Sequence, residues 1–232
     1  MLLGIRNTSV VGLPALIYNT GVNLLAHAFL ANGVPDRIVG QLCGDFVRGS
    51  DLSAYPPLVQ VGIRCHRAVD TFTDQHAETL AARNLFQAPH RRFAGIAVDV
   101  IYDHFLASDW DQYSDVPLQE YTSLVADSLA ARHEVLPEGL RRFKGLLDVE
   151  DTLYRNLQRD HIDLTLQRIS GRRESFSDLA TIAPLAWAQE PALKQSFDRF
   201  FPQLVSYTRA YQKKKIASAH PETGRSEADS RA

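Results

Sequence analysis

The sequence predicts an all-α protein with a single helical domain. Apolar residues recur at helical spacing along most of the 232 residues, strand-like alternation is scarce, and prolines and glycines separate successive segments. The composition is ordinary for a globular chain, with 45% hydrophobic and 22% charged residues. A chain of this length is expected to form one domain with a sizeable core.

Each predicted helix rests on a start or stop signal. Asp36 is placed to cap the second helix, Pro56-Pro57 introduces the third, and Pro117 begins the fifth, which ends before Pro137. The predicted helices span residues 22–30, 37–49, 58–86, 91–110, 118–136, 138–170, 175–189 and 191–211. The domain is therefore predicted to occupy 22–211. Residues 1–21 form an N-terminal extension, and the polar segment 212–232 is expected to be a disordered tail.

Composition also limits the function classes. The formal net charge of −2 argues against a dedicated nucleic-acid binder. Two cysteines exclude a disulfide scaffold and favour a reducing compartment, so we expect a cytoplasmic protein. No segment approaches the roughly 20 apolar residues that a membrane span needs, so no membrane association is expected.

The first group of candidate functional residues lies within residues 64–74. His66, Asp70 and Asp74 are spaced four apart, which places them on one face of a helix. A His and a carboxylate at this spacing can bind one metal ion. The alternative is an exposed face paired with Arg64 or Arg67, since charged helical faces are usually solvated.

The second group of candidate functional residues lies within residues 97–106. Asp99 and Asp103 are again four apart, amid apolar neighbours, and Asp45 stands in a similar apolar setting. Burying a carboxylate is costly unless it is paired or binds a cation. A buried ion pair with Arg91 or Arg92 is the structural alternative. His104 and His27 can also be explained as core histidines.

Several motifs occur in a specific order along the chain: 23–27 (NLLAH), 44–49 (GDFVRG), His66-Arg67-x-x-Asp70 with Asp74, 99–106 (DVIYDHFL) and 117–120 (PLQE). This combination resembles the bacterial acyl carrier protein phosphodiesterases over roughly residues 22–205. The resemblance implies an all-helical bundle like that of the HD-type phosphohydrolases. It also implies Mn²⁺-dependent removal of 4′-phosphopantetheine from holo acyl carrier protein, with Mg²⁺ or another divalent ion as alternative cofactors.

Carried over residue by residue, the resemblance implies a metal centre, a set of additional ligands and a group of binding arginines. It places Asp45, His66, Asp70, Asp103 and His104 at the metal centre, and His66, Asp70, Asp103 and His104 among the catalytic residues. It gives His27, Asp74 and Asp99 as supporting or additional ligands. It gives Arg48, Arg64 and Arg67 as contacts for the phosphate or for the carrier protein. Carrier proteins are strongly acidic, so docking should use a basic surface, for which Arg91 and Arg92 are candidates.

The sequence departs from the family pattern in two places. The contiguous His-Asp doublet of HD proteins is replaced by Asp103-His104, which leaves the ligand assignment open. The family's usual opening Met-Asn reads Val22-Asn23 here, so we hypothesise that residues 1–21 precede the true start. Two rival functions remain at this point: an HD-like phosphohydrolase acting on nucleotides or other small phosphoesters, and a non-catalytic module that binds carrier protein.

Overall fold

A computed structural model describes residues 23–146, 148–171 and 173–219. The α-helices are α1 (Leu24–Leu30), α2 (Pro35–Cys43), α3 (Pro57–Gln75), α4 (Ala77–Asn84), α5 (Ala94–Ser108), α6 (Leu118–Ala131), α7 (Glu138–Leu146), α8 (Val149–Tyr154), α9 (Arg159–Ser170), α10 (Ile182–Ala188) and α11 (Glu190–Ala219). Short 3₁₀ helices at Gly44–Phe46, His90–Phe93, Trp110–Gln112, His133–Val135, Arg155–Leu157 and Glu174–Thr181 join them. The described residues contain no strand, which confirms the all-α prediction.

The predicted third helix is divided in two. His76 has extended backbone angles, and its side chain accepts a hydrogen bond from the amide of Glu78, so it caps α4. The prediction of one helix over 58–86 was therefore wrong at this residue. The second predicted helix also ends earlier than expected: α2 stops at Cys43, and a 3₁₀ turn carries Asp45. Asp36 lies in the first turn of α2, after Val34 at the N-cap position.

The core is one apolar cluster around α5, in which eleven of fifteen residues are buried. Val98, Ile101 and Leu106 of α5 are fully buried, and helices α1, α4, α9, α10 and α11 pack against it. Helices α2 and α3 form the most extensive helix pair. Their backbones approach so closely that a Cβ on Gly40 would lie 2.2 Å from the carbonyl oxygen of Val59. This contact brings the polar faces of α2 and α3 together beside α1.

The structure describes the chain beyond the C-terminal end of the predicted domain but not the N-terminal extension. The extension 1–21 lies outside the described residues. Helix α11 continues past Tyr211 to Ala219, and Gln212, assigned by sequence to the polar tail, is buried. No helix within the described ranges is both long and apolar enough to cross a membrane.

Candidate metal centre

Three side chains from two helices converge at one point of the surface. His27 comes from α1, and His66 and Asp70 come from α3; one potential ligand atom of each lies within 4.8 Å of the others. Nε2 of His66 is 3.1 Å from Oδ2 of Asp70, and Nε2 of His27 is 3.3 Å from Oδ1 of the same carboxylate. The two imidazole rings stack with centroids 4.1 Å apart. We call His27, His66 and Asp70 the triad.

Neighbouring residues hold the two imidazoles in place. Nδ1 of His27 lies 3.1 Å from Oε1 of Gln41, so it carries the proton of that hydrogen bond and leaves Nε2 directed at Asp70. Oδ1 of Asp45, on the 3₁₀ turn after α2, lies 3.2 Å from Nε2 of His66. Gly44 makes room for the His66 ring, because a Cβ at that position would lie 2.1 Å from it.

The triad is buried on its histidine side and open on its carboxylate side. The His27 and His66 side chains are 3% and 4% exposed, whereas that of Asp70 is 44% exposed. A substrate can therefore reach the carboxylate without any movement of the rings. Nδ1 of His66 is buried and has no hydrogen-bond partner among the described atoms.

The charges of the triad reinforce one another. Burial alone would lower the pKa of His66, but hydrogen bonds and charge from Asp45 and Asp70 outweigh it and raise the pKa to about 9. Burial would raise the pKa of Asp70, but the two histidines outweigh it and hold that pKa well below its usual range. The site is therefore built around an ionised carboxylate that attracts positive charge.

This donor set fits a divalent transition-metal ion. Two imidazole nitrogens and one carboxylate within 4.8 Å of one another match the ligands that such ions take in proteins. A fixed Nδ1 proton on His27 is also the usual arrangement for a ligating histidine, because it orients the ring and leaves Nε2 free to coordinate.

The predicted ligands on α5 make other contacts. The carboxylate of Asp103 is buried and accepts hydrogen bonds from the amides of Leu25 and Ala26, each at 2.9 Å. Burial raises the pKa of Asp103 to about 8, although these two amides favour its charged form. Because Asn23 makes no side-chain cap, Asp103 is the group that caps α1. It thus fixes the helix that carries His27.

His104 lies against another part of the molecule. Its Nδ1 donates to the carbonyl oxygen of Asn156 at 2.7 Å, and its ring packs edge-on against Trp187. Burial lowers its pKa. Neither Asp103 nor His104 belongs to the triad, so their ligand roles stay predictions from the sequence.

The remaining predicted acids flank the triad. Asp74, one turn beyond Asp70, forms an ion pair with Arg83 at 2.7 Å. Burial raises the pKa of Asp99 to about 7, and the negative charges of Asp70, Asp74 and Asp45 add to the increase while Arg83 opposes it. Among the described residues, Arg91 and Arg92 contact Arg83, Asn84 and Asp178 and form no ion pair with Asp99 or Asp103, so the structural alternative of a buried ion pair was wrong.

The predicted arginines divide into two groups. Near the triad, Arg67 donates to the carbonyl oxygen of Val47 at 2.8 Å, Arg64 donates to Gln60, and Arg48 is exposed. In contrast, Arg91 donates to the carbonyl oxygen of Arg83 and to Asn84, and Arg92 pairs with Asp178 at 2.6 Å. Both groups make contacts within the fold, but Arg64 and Arg67 lie on α3, the helix that carries His66 and Asp70, and Arg48 follows the turn that carries Asp45.

Sequence reasoning missed two residues of this site and undervalued a third. Gln41 and Gly44 carry no sequence signal, because an amide and a glycine acquire their roles only when α2 meets α1 and α3. His27 was interpreted first as a core histidine. Its membership in the motif at 23–27 was the one available signal for a ligand role.

A cavity of about 340 Å³ lies elsewhere, lined by Phe29, Tyr113, Tyr121 and Arg209 among others. No residue of the triad lines it. Pocket size alone would favour this cavity as the functional site, but the convergence of ionisable groups favours the triad.

Comparison with known proteins gives a consistent result. A family model described as acyl carrier protein phosphodiesterase matches residues 22–204. A protein of that name from Escherichia coli O6:H1 (strain CFT073) is 36% identical over 188 residues, covering 79% of this chain and 96% of the relative. Its counterpart in Escherichia coli strain K12 / DH10B is 35% identical over 189 residues, covering 80% and 96% respectively. No solved structure matches the chain.

Proposed function

The chain belongs to the acyl carrier protein phosphodiesterase family, and we propose that it hydrolyses the phosphodiester joining 4′-phosphopantetheine to a serine of holo acyl carrier protein. The observation that carries this proposal is the family match over residues 22–204, which contains the whole triad. The products would be apo acyl carrier protein and 4′-phosphopantetheine.

We propose that His27, His66 and Asp70 hold a divalent cation, with Asp45 fixing the ring of His66. When bound, such an ion supplies Lewis acidity to the phosphoryl oxygens and lowers the pKa of a coordinated water. The exposed edge of Asp70 marks the side from which the phosphodiester approaches. The burial of both imidazoles keeps bulk water away from the opposite side.

The proposed reaction exchanges one phosphorus–oxygen bond for another. A water oxygen bonds to phosphorus and gives up a proton, the bond from phosphorus to the serine oxygen breaks, and the serine oxygen takes up a proton. Arg48 and Arg67 are proposed to neutralise phosphoryl charge, because they flank the turn that carries Asp45. The hydrogen bond from Arg67 to Val47 ties α3 to the same turn.

The test is a mass measurement on the substrate. Purified protein incubated with Mn²⁺ and holo acyl carrier protein should release a carrier lighter by one phosphopantetheine group. A small phosphodiester and a nucleotide serve as comparison substrates, and preferential cleavage of either would favour a general phosphohydrolase. Failure to convert the carrier protein with Mn²⁺, Mg²⁺ or any other divalent ion would overturn the proposal.

A further inference from the structure

The C-terminal part of α11 is rich in cationic residues. Between residues 200 and 219 the helix contains four cationic residues and no acidic one. Three of the cations are consecutive, at Lys213, Lys214 and Lys215, and the fourth is Arg209. Like charges spaced four residues apart, as at Arg209 and Lys213, repel each other on a helix.

The exposed part of this segment has the form of a binding surface. Arg209, Lys213 and Ile216 lie at positions i, i+4 and i+7, which share one face of a helix. Arg209 and Lys213 are exposed, and Ile216 is one of eight large apolar side chains that are exposed in the described part of the chain, at 36%. We call Arg209, Lys213 and Ile216 the α11 stripe. An apolar contact flanked by cations suits an acidic, amphipathic partner.

Contacts of the neighbouring residues Tyr211 and Gln212 fix this part of α11 against the helices that carry the triad. Gln212 donates to the carbonyl oxygen of Leu30 at 2.8 Å and accepts from Arg37 at 2.7 Å. Its amide nitrogen also lies 3.5 Å from Sγ of Cys65, the residue before His66. Tyr211 donates to the carbonyl oxygen of Arg64 at 3.3 Å. The segment is thus seated on α1 and α3, the two helices that carry the triad.

We propose that the α11 stripe is the docking surface for the acidic carrier protein, which places the carrier beside the triad. This inference rests on the proposed function for the identity of the partner. It replaces Arg91 and Arg92 as the expected docking residues, because those two arginines are engaged with Asn84 and Asp178. A disordered tail would give the lysines no fixed position, whereas the helix gives them one.

The test measures binding without turnover. The probe is apo acyl carrier protein, and the full-length chain is titrated with it at low salt. Charge reversal in Arg209→Glu/Lys213→Glu should raise the dissociation constant on the order of tenfold and make it less dependent on salt concentration. The matched control Arg91→Glu/Arg92→Glu makes the same change in net charge and should alter binding by less than about twofold.

Kinetics add a second readout. The stripe variant should raise KM for holo carrier protein at unchanged kcat, and cleavage of a small phosphodiester should be unaffected. The neutral variant Arg209→Gln/Lys213→Gln should give an intermediate effect, and it keeps the test available if charge reversal disturbs the helix.

Equal binding by wild type and stripe variant, or loss of binding in the Arg91/Arg92 control alone, would overturn the inference. Absence of turnover in the wild type with carrier binding still sensitive to the stripe would count against the proposed function only.

Discussion

Helices α3 and α5 carry the same sequence pattern, but the side chains of the pattern make different contacts in the two helices. Each carries carboxylates four residues apart with a histidine close by. On α3 the pattern produces His66 and Asp70 in direct contact, joined by His27. On α5, Asp103 accepts a hydrogen bond at the N-terminus of α1, and His104 donates to the carbonyl oxygen of Asn156.

The difference arises from what each helix faces. Helix α3 presents its polar face to the side chain of His27, whereas α5 presents Asp103 to backbone amides of the same helix α1. Spacing places residues on one face, but the element opposite decides their chemistry. The α5 carboxylate therefore supports the triad indirectly, by holding the helix from which His27 projects.

The largest expected effect is on turnover, and it distinguishes two aspartates of α3. Asp70→Asn removes the charge that both histidines share, so turnover should fall on the order of 10³-fold. Asp74→Asn changes the same group one turn later, where it pairs only with Arg83, and turnover should stay within about threefold. Rates with holo carrier protein check both variants. Equal losses in the two would remove the distinction between them.

The next effect tests the supporting role of α5. Asp103→Ala leaves the buried amides of Leu25 and Ala26 without their acceptor, so the free energy of unfolding should fall by about 2–3 kcal/mol. Urea denaturation measures it, with Asp111→Ala as an exposed control. If Asp103 is instead a ligand, the variant will lose metal affinity while keeping its stability.

A smaller effect depends on pH. The folded pKa of Asp99 is raised to about 7, mainly by burial, against about 3.9 in an unfolded chain. The folded state therefore binds this proton more tightly, and the stability that it contributes is complete below about pH 4 and is lost as the pH rises to about 7.

Asp99→Asn removes that dependence. The variant should be more stable than wild type at pH 8, by about 1 kcal/mol because the side chain is partly exposed, and should match it at pH 4. Denaturation at the two pH values provides the measurement. A variant less stable than wild type at pH 8 would show that the charged form is favoured in the fold.

The sequence predicts the fold class well because apolar spacing and proline positions are local signals. It does not predict the break at His76, which depends on a side-chain cap, or the close approach of α2 and α3 at Gly40. At the site, His66 and Asp70 follow from helical periodicity. His27 joins the triad, and Asp103 caps α1, because of the way α1 packs against α3 and α5. The spacing of residues within one segment gives no information about that packing.

The most direct test of the contrast between α3 and α5 is a calorimetric titration with Mn²⁺ of the wild type and two histidine variants. His27→Ala removes the ring that joins the α3 pair, and His104→Ala removes the histidine of α5. We predict that Mn²⁺ binding is lost in His27→Ala and kept in His104→Ala. Binding kept in His27→Ala and lost in His104→Ala would contradict this prediction, and would place the metal on α5.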